Sequence, residues 1–253
     1  MGMILEAHQG VANEYPGNTL AAFRAAKALG YGMIELDTKF TADNRCVILH
    51  DRTVNRTARH ADGTALETET GVDTLTLDEV RRLDAGIYMG ERFRGEKIPM
   101  LEEVLDFAGE AGIPLKFDNV LWSHTPEQRK ILFSAAETSD AVCGFTCFTT
   151  DQVKMLLDIM PGAVVHFDGP VNRDALSALS VLVDPARLYI WMRFDNAVTA
   201  WNKTPPCDAR SAAAVKKIGK LGVWLLTKEE ELLRAAELGA DVVETDGQLR
   251  PRL

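Results

Sequence analysis

Cysteine is scarce in this 253-residue chain. Cys46, Cys143, Cys147 and Cys207 are the whole supply, and no two form a C-x-x-C pair. Cys143 and Cys147 make a C-x-x-x-C with no histidine beside it, so reduced core thiols in a cytoplasmic protein are expected. Long apolar runs are missing. None approaches the roughly 20 residues that a membrane helix needs, so no membrane span is expected. The opening Met1-Gly2-Met3-Ile4-Leu5-Glu6-Ala7-His8 has no basic stretch, which argues against a secretory leader. It also has Glu6 where a myristoylation signal wants Ser or Thr. Positive charge is short: Lys plus Arg is 28 against 37 for Asp plus Glu, a net charge of −9. Such a balance excludes a basic nucleic-acid or anionic-membrane surface. It does not exclude an anionic small molecule, because a bound metal or a local cation reverses the field inside one pocket. There is no internal repeat and no low-complexity tract. The hydrophobic share of 46% excludes intrinsic disorder.

Short apolar runs alternate with longer amphipathic ones. Strands are predicted at 4–8, 33–39, 47–50, 115–119, 141–145, 163–167, 188–193, 222–226 and 242–245. Helical patterns fill 18–29, 101–110, 127–139, 151–160, 173–182, 209–221 and 228–238. Strand–helix alternation of this length implies parallel strands joined by crossover helices. Eight or nine such strands in one chain fit a closed (β/α)8 TIM barrel of the α/β class. A doubly wound sheet is the alternative, but no G-x-G-x-x-G follows the first strand. Thr150-Asp151 and Thr227 look like helix starts, and Gly30, Gly109 and Gly239 like helix ends. Residues 51–99 break the rhythm with a single helical pattern over 76–83. They are read as a small subdomain inserted into one barrel domain spanning 1–253, after the second or third strand.

In the run Met33-Ile34-Glu35-Leu36-Asp37-Thr38-Lys39, alternation puts Glu35, Asp37 and Lys39 on one face and the aliphatics on the other. The aliphatic face suits the helices, which leaves the charged face inside the barrel. Two interior carboxylates cost several kcal/mol each unless compensated, and a hard divalent cation compensates them. Asp118, at the end of another strand with Lys116 on the same face, is a candidate third ligand. His8 and His50 also end predicted strands, on the face where barrel active sites form. Two histidines beside three acids suggest an acid/base pair around a metal. His60, His124 and His166 lack acidic companions and are read as structural.

The segment Ala7-His8-Gln9-Gly10, followed by Pro16-Gly17-Asn18-Thr19-Leu20-Ala21-Ala22-Phe23, resembles the HRG…PENT-x-x-AF opening of the glycerophosphodiester phosphodiesterase family. Glu35-Leu36-Asp37 is similar to its E-x-D motif, and His50-Asp51 with Thr53, Arg56 and Thr57 to its HD-x-T-x-x-R-T element. Ile98 to Leu105 and the closing Gly239 to Asp246 resemble further family segments. The resemblance implies a TIM barrel and a metal-dependent phosphodiesterase acting on a small-molecule phosphodiester. His8 and His50 would be catalytic, and Glu35, Asp37 and Asp118 would hold Mg²⁺ or Ca²⁺, with Mn²⁺ also compatible. Asp118 stands where the family carries Glu of an E-x-K strand.

Three departures bear on substrate. Gln9 replaces the Arg of HRG, Gly17 the Glu of PENT and Val120 the Lys of E-x-K. Two phosphate-binding cations are therefore absent, which cannot be neutral for phosphate affinity. Lys39, Lys116 and Arg193 are expected to replace them around Gln9, the alternative being mouth salt bridges. Trp224 falls near the family's W-T-x-N motif, and Phe148, Trp191 and Trp201 are further aromatics near strand ends. They are candidate walls for the substrate alcohol, the alternative being plain packing. A lyase that stops at a cyclic phosphate and a noncatalytic phosphate-ester binder stay open.

Overall fold

The computed structural model describes residues 2–194 and 206–251. Trp201 and Asp195 lie outside the described residues. β1 (Ile4–Ala7), β2 (Met33–Phe40), β4 (Leu115–Asp118), β5 (Cys143–Cys147), β6 (Val164–Phe167), β7 (Leu188–Arg193), β8 (Lys220–Trp224) and β9 (Val242–Thr245) pair in parallel. Because β1 pairs with both β9 and β2, the ring closes into a (β/α)8 barrel. β3 (Cys46–Ile48) is the extra strand. It pairs antiparallel with the outer end of β2, Lys39 opposite Val47.

The helices follow from their caps. Thr19 accepts a hydrogen bond from Ala22 N and opens α1 (Leu20–Ala28). α3 (Leu101–Ala111) buries Leu101, Val104, Leu105 and Ala108 at helical spacing. Thr125 caps α5 (Pro126–Thr138), which follows the short α4 (Val120–Ser123). α6 (Thr150–Ile159), α7 (Arg173–Leu182), α8 (Ala209–Val215) and α9 (Glu229–Glu237) complete the outer layer. Among the described residues no helix is long and apolar enough to cross a membrane.

Several boundaries differ from the expectation. The cap of α6 is Thr149, which accepts from Gln152 N. Gly109 lies inside α3, and Gly112, at φ 59°, ends it. α8 stops at Val215 because β8 already begins at Lys220. Gly219 passes so close to the Leu188 carbonyl that a Cβ would stand 2.8 Å from it. The run 47–50 is not a barrel strand. Its hairpin turns back along β2, and Leu49 N donates to Asp37 O at 3.0 Å.

Residues 51–99 contain α2 (Leu77–Arg82) and three isolated 3-10 turns, at Val72–Thr74, Ile87–Met89 and Glu91–Phe93. Val54, Ala58, Val72, Val80, Leu83 and Ile98 form a small hydrophobic cluster with Val47 and Leu49, separate from the main core.

Candidate active site

Glu35 and Asp37 lie on the inner face of β2, both only 3% exposed, and the register sets Asp37 beside Asp118. One carboxylate oxygen from each of Glu35, Asp37 and Asp118 lies within 4.8 Å of the others. The carboxyl of Glu35 is pushed well up, by burial first and by Asp37 next. That of Asp118 is raised by burial, against the pull of Lys116, with Asp37 adding to the rise. An oxygen-only donor set under mutual repulsion fits a hard divalent cation.

The loop after β1 supports these acids. Gln9, at φ 52°, donates its backbone N–H to Glu35 Oε2 at 3.0 Å and its amide to Asp37 Oδ2 at 3.3 Å. Asn18 donates to the same oxygen at 3.1 Å and accepts from Asp37 N at 3.2 Å. Gly10 is required there: its φ is +82°, and a Cβ would fall 2.7 Å from the Ala22 side chain.

His8 Nδ1 lies 2.5 Å from Asp246 Oδ1, and Nε2 is 3.8 Å from Glu35 Oε2. Burial opposes a charge on this imidazole, but Glu35, Asp246 and Glu244 outweigh it and raise the pKa to about 10. His50 reaches the mouth through the β2–β3 hairpin. Its Nδ1 is 2.6 Å from Asp51 Oδ1, and Arg56 holds Asp51 with two bonds, 2.5 and 3.0 Å. A cleft of about 70 Å³ joins Gln9, Gly17, Asn18, His50, Arg56 and Tyr88.

Lys116 departs from the expectation of a substrate-facing cation. It is buried inside the barrel, 3.2 Å from Glu6 Oε2 and 2.5 Å from Glu244 Oε2, with its ammonium 3.9 Å from the Trp191 ring centroid. Burial works against its charge, but the two glutamates overcome that and raise its pKa. Trp191 is likewise no outer wall: it is fully buried, stacked on His166 and donating to His166 Nδ1 at 2.9 Å. Lys39 stays nearer the mouth and donates to the carbonyls of Thr38 and Leu49, each at 3.2 Å. Arg193 ends β7 opposite Trp224 of β8. Trp224 Nε1 donates to Asp168 Oδ1 at 3.2 Å, and burial, followed by Asp118, pushes the Asp168 carboxyl up to about 8. Val120 is buried as the first residue of α4, so no cation stands at that position.

The sequence profile of the glycerophosphoryl diester phosphodiesterase family matches residues 8–158, which includes both histidines and all three acids. The chain belongs to this family. With it, the chain is a phosphoric diester hydrolase by class. A glycerophosphodiester phosphodiesterase of Caldanaerobacter subterraneus is 30% identical over 253 residues, covering 97% of this chain and 95% of the relative. An uncharacterised protein of Bacillus subtilis, YqiK, is 35% identical, with 95% and 93% covered. Among solved structures, an Oleispira antarctica phosphodiesterase in complex with its product sn-glycerol-3-phosphate has the same fold. Its TM-score is 0.76 at 20% identity, with 97% of this chain and 93% of that one covered. The Thermotoga maritima glycerophosphodiester phosphodiesterase aligns with a TM-score of 0.68 at 17% identity, covering 98% and 96%.

Sequence reasoning missed several partners within this family site. Asp246 and Asn18 stood inside the quoted motifs without a role. Glu6 and Glu244 were visible as lone acids within apolar strands, and Asp168 as an acid directly after one, the same signal that singled out His8.

Proposed function

We propose that the chain is a divalent-metal-dependent phosphodiesterase cleaving glycerophosphodiesters or a related sugar phosphodiester, with His8 and His50 as the acid/base pair. The observation that carries this reading is the convergence of Glu35, Asp37 and Asp118 beside His8, with His50 lining the cleft shared by Gln9 and Asn18, which bond to those acids. Glu35, Asp37 and Asp118 would hold a divalent cation, which would supply Lewis-acid polarisation of the phosphate and favour deprotonation of a neighbouring hydroxyl. Mg²⁺ and Ca²⁺ suit the oxygen ligands, and so does Mn²⁺.

The neighbouring hydroxyl of the substrate attacks phosphorus and gives its proton to His50, which Asp51 orients. The departing alkoxide takes a proton from His8, on which Glu35 and Asp246 hold that proton. A cyclic phosphate and a free alcohol result, and water then opens the ring to a monoester. Proximity favours the intramolecular attack. Gln9 positions Glu35 and Asp37, Trp224 lines the alcohol side, and Lys39 and Arg193 supply positive charge at the mouth. The reading takes 1–253 as one barrel domain with 51–99 inserted, working in the cytoplasm in lipid metabolism.

A second reading, a lyase that stops at the cyclic product, draws on Gln9 and the apolar Val120 in place of two cations. ³¹P NMR of a glycerophosphodiester and a sugar phosphodiester, with Mg²⁺ and then EDTA, separates the two. A metal-dependent monoester signal supports the hydrolase, and a persistent cyclic signal supports the lyase. Unchanged substrate alongside metal-dependent substrate binding would turn the reading to a noncatalytic binder.

A further inference from the structure

Beyond the acidic cluster, where β2 meets the 51–99 excursion and the α4–α5 corner, lies a second cleft of about 290 Å³. Its walls include Lys39, Arg52, Asp73, Ser123, His124 and Gln128. These come from four separate stretches of chain, so the barrel and the excursion together form the cleft.

Its donors are unevenly matched by acceptors. Lys39 spends two of its three N–H donors on the Thr38 and Leu49 carbonyls. Among the described residues, no carboxylate lies within 4.0 Å of Lys39 or of Arg52, and no acceptor is hydrogen-bonded to the Arg52 guanidinium. Gln128 accepts from Thr125 N through Oε1, which leaves its amide N–H groups as donors. His124 is buried, bonded through Nε2 to Thr38 Oγ1 at 2.8 Å, and burial with Lys39 keeps it uncharged at neutral pH. The one carboxylate, Asp73, lies against its own turn: a Cβ on Gly71 would stand 2.5 Å from Asp73 Oδ1. In a chain of net charge −9, the lining of this cleft therefore presents two cations and an amide donor against one lining acid, while Asp37, Asp51 and Asp118 act on Lys39 from outside it.

The cleft is tied to the active site through the chain. Lys39 follows Asp37 by two residues on the same face of β2, about 7 Å along the strand. Arg52 directly follows the His50-Asp51 pair. Lys39 thus links the cleft to the strand that carries Glu35 and Asp37.

We propose that this cleft is an anion subsite, selecting phosphodiesters whose alcohol carries a second anionic group, a phosphate or a carboxylate. The proposal rests on the phosphodiesterase reading for its biological use, but binding tests it separately. The probes are glycerophosphoglycerol and the same diester bearing a terminal phosphate. Each is titrated calorimetrically in EDTA, without turnover, into the full chain and into Arg52→Gln and Arg52→Lys. The phosphorylated probe is expected to bind the unaltered chain about tenfold more tightly than the plain diester, the worth of roughly one charged hydrogen bond. Arg52→Gln erases that preference, and Arg52→Lys keeps part of it. Equal affinity for the two probes, or a preference unchanged in Arg52→Gln, overturns the subsite. With a cation restored, the ratio of kcat/KM for the two probes is expected to follow the binding ratio. If neither probe is cleaved but the preference holds and depends on Arg52, the phosphodiesterase reading fails while the subsite stands.

Discussion

Gln9 and Gly17, two departures from the family's opening motif, touch each other. A Cβ on Gly17 would stand 3.0 Å from Gln9 Oε1 and 3.3 Å from Gln9 Cβ. The Gln9 amide occupies the space over Gly17 and reaches Asp37. A larger residue at 17 must displace it, so the two positions are coupled. Gly17→Glu alone is expected to weaken metal-dependent activity, and Gln9→Arg alone to gain little. Together they are non-additive by about 0.5–3 kcal/mol in a double-mutant cycle on kcat/KM. Additive effects would separate the positions.

Metal should stabilise the fold by mass action. At a concentration about 100 times its Kd, a cation contributes roughly 2.7 kcal/mol, or about 5–10 °C in Tm for a chain of this size. Differential scanning calorimetry with Mg²⁺, Ca²⁺ or Mn²⁺ against EDTA measures this. Asp118→Asn should remove most of the shift. A shift of equal size in that variant would place the cation elsewhere.

The metal-free protein should lose stability as pH rises. His8 has a folded-state pKa of about 10 against an ordinary value of 6.5, so its contribution is full below about pH 6.5 and is lost on the way to 10. The raised carboxyls of Glu35, Asp118 and Asp168 act in the same direction, since the folded state holds protons that the unfolded chain releases. Tm in EDTA is expected to fall from mildly acidic to alkaline pH. Metal binding should release protons, read as a dependence of the calorimetric heat on buffer ionisation enthalpy. A Tm that climbs between pH 6.5 and 9 without metal would contradict the proton placement.

Substituting His8→Ala or His50→Ala is expected to lower kcat by roughly 10²–10⁴ while each variant keeps a metal-induced Tm shift. Asp246→Asn should act more mildly and move the pH profile, since Asp246 is bonded to the His8 ring. Full activity in either alanine variant would remove that histidine from the mechanism.

The interior triad predicts an asymmetry. Burial raises the Glu6 carboxyl, against the pull of Lys116, so Glu6 holds charge less readily than Glu244. Burial also opposes charge on Glu244, but Lys116 and His8 prevail and keep it ionised. Glu6→Gln should therefore cost little, whereas Lys116→Met strands a buried charge and should cost about 3–5 kcal/mol in urea unfolding. Equal costs for the two would invert the assignment.

Much of the site was legible because it is periodic. Side chains alternate along a strand, so Glu35, Asp37 and Lys39 had to share a face whatever surrounded β2, and strand–helix alternation implied parallel strands, which the structure closes into a barrel. Asp118 was legible as a strand-end acid. What the sequence by itself could not determine was how cations and partners are distributed across distant strands. Lys116 follows the same alternation as Asp118, but its partners Glu6 and Glu244 are 110 and 128 positions away. Closure of the ring brings β1 and β9 across from β4, and two acids facing one cation in a dry interior capture it. His8 meets Asp246 across 238 positions for the same reason. His50 reaches the mouth because a hairpin reverses onto β2, a direction that an apolar run of four residues does not encode. Local periodicity determined which residues face inward, and the closure of the barrel decided which of them meet.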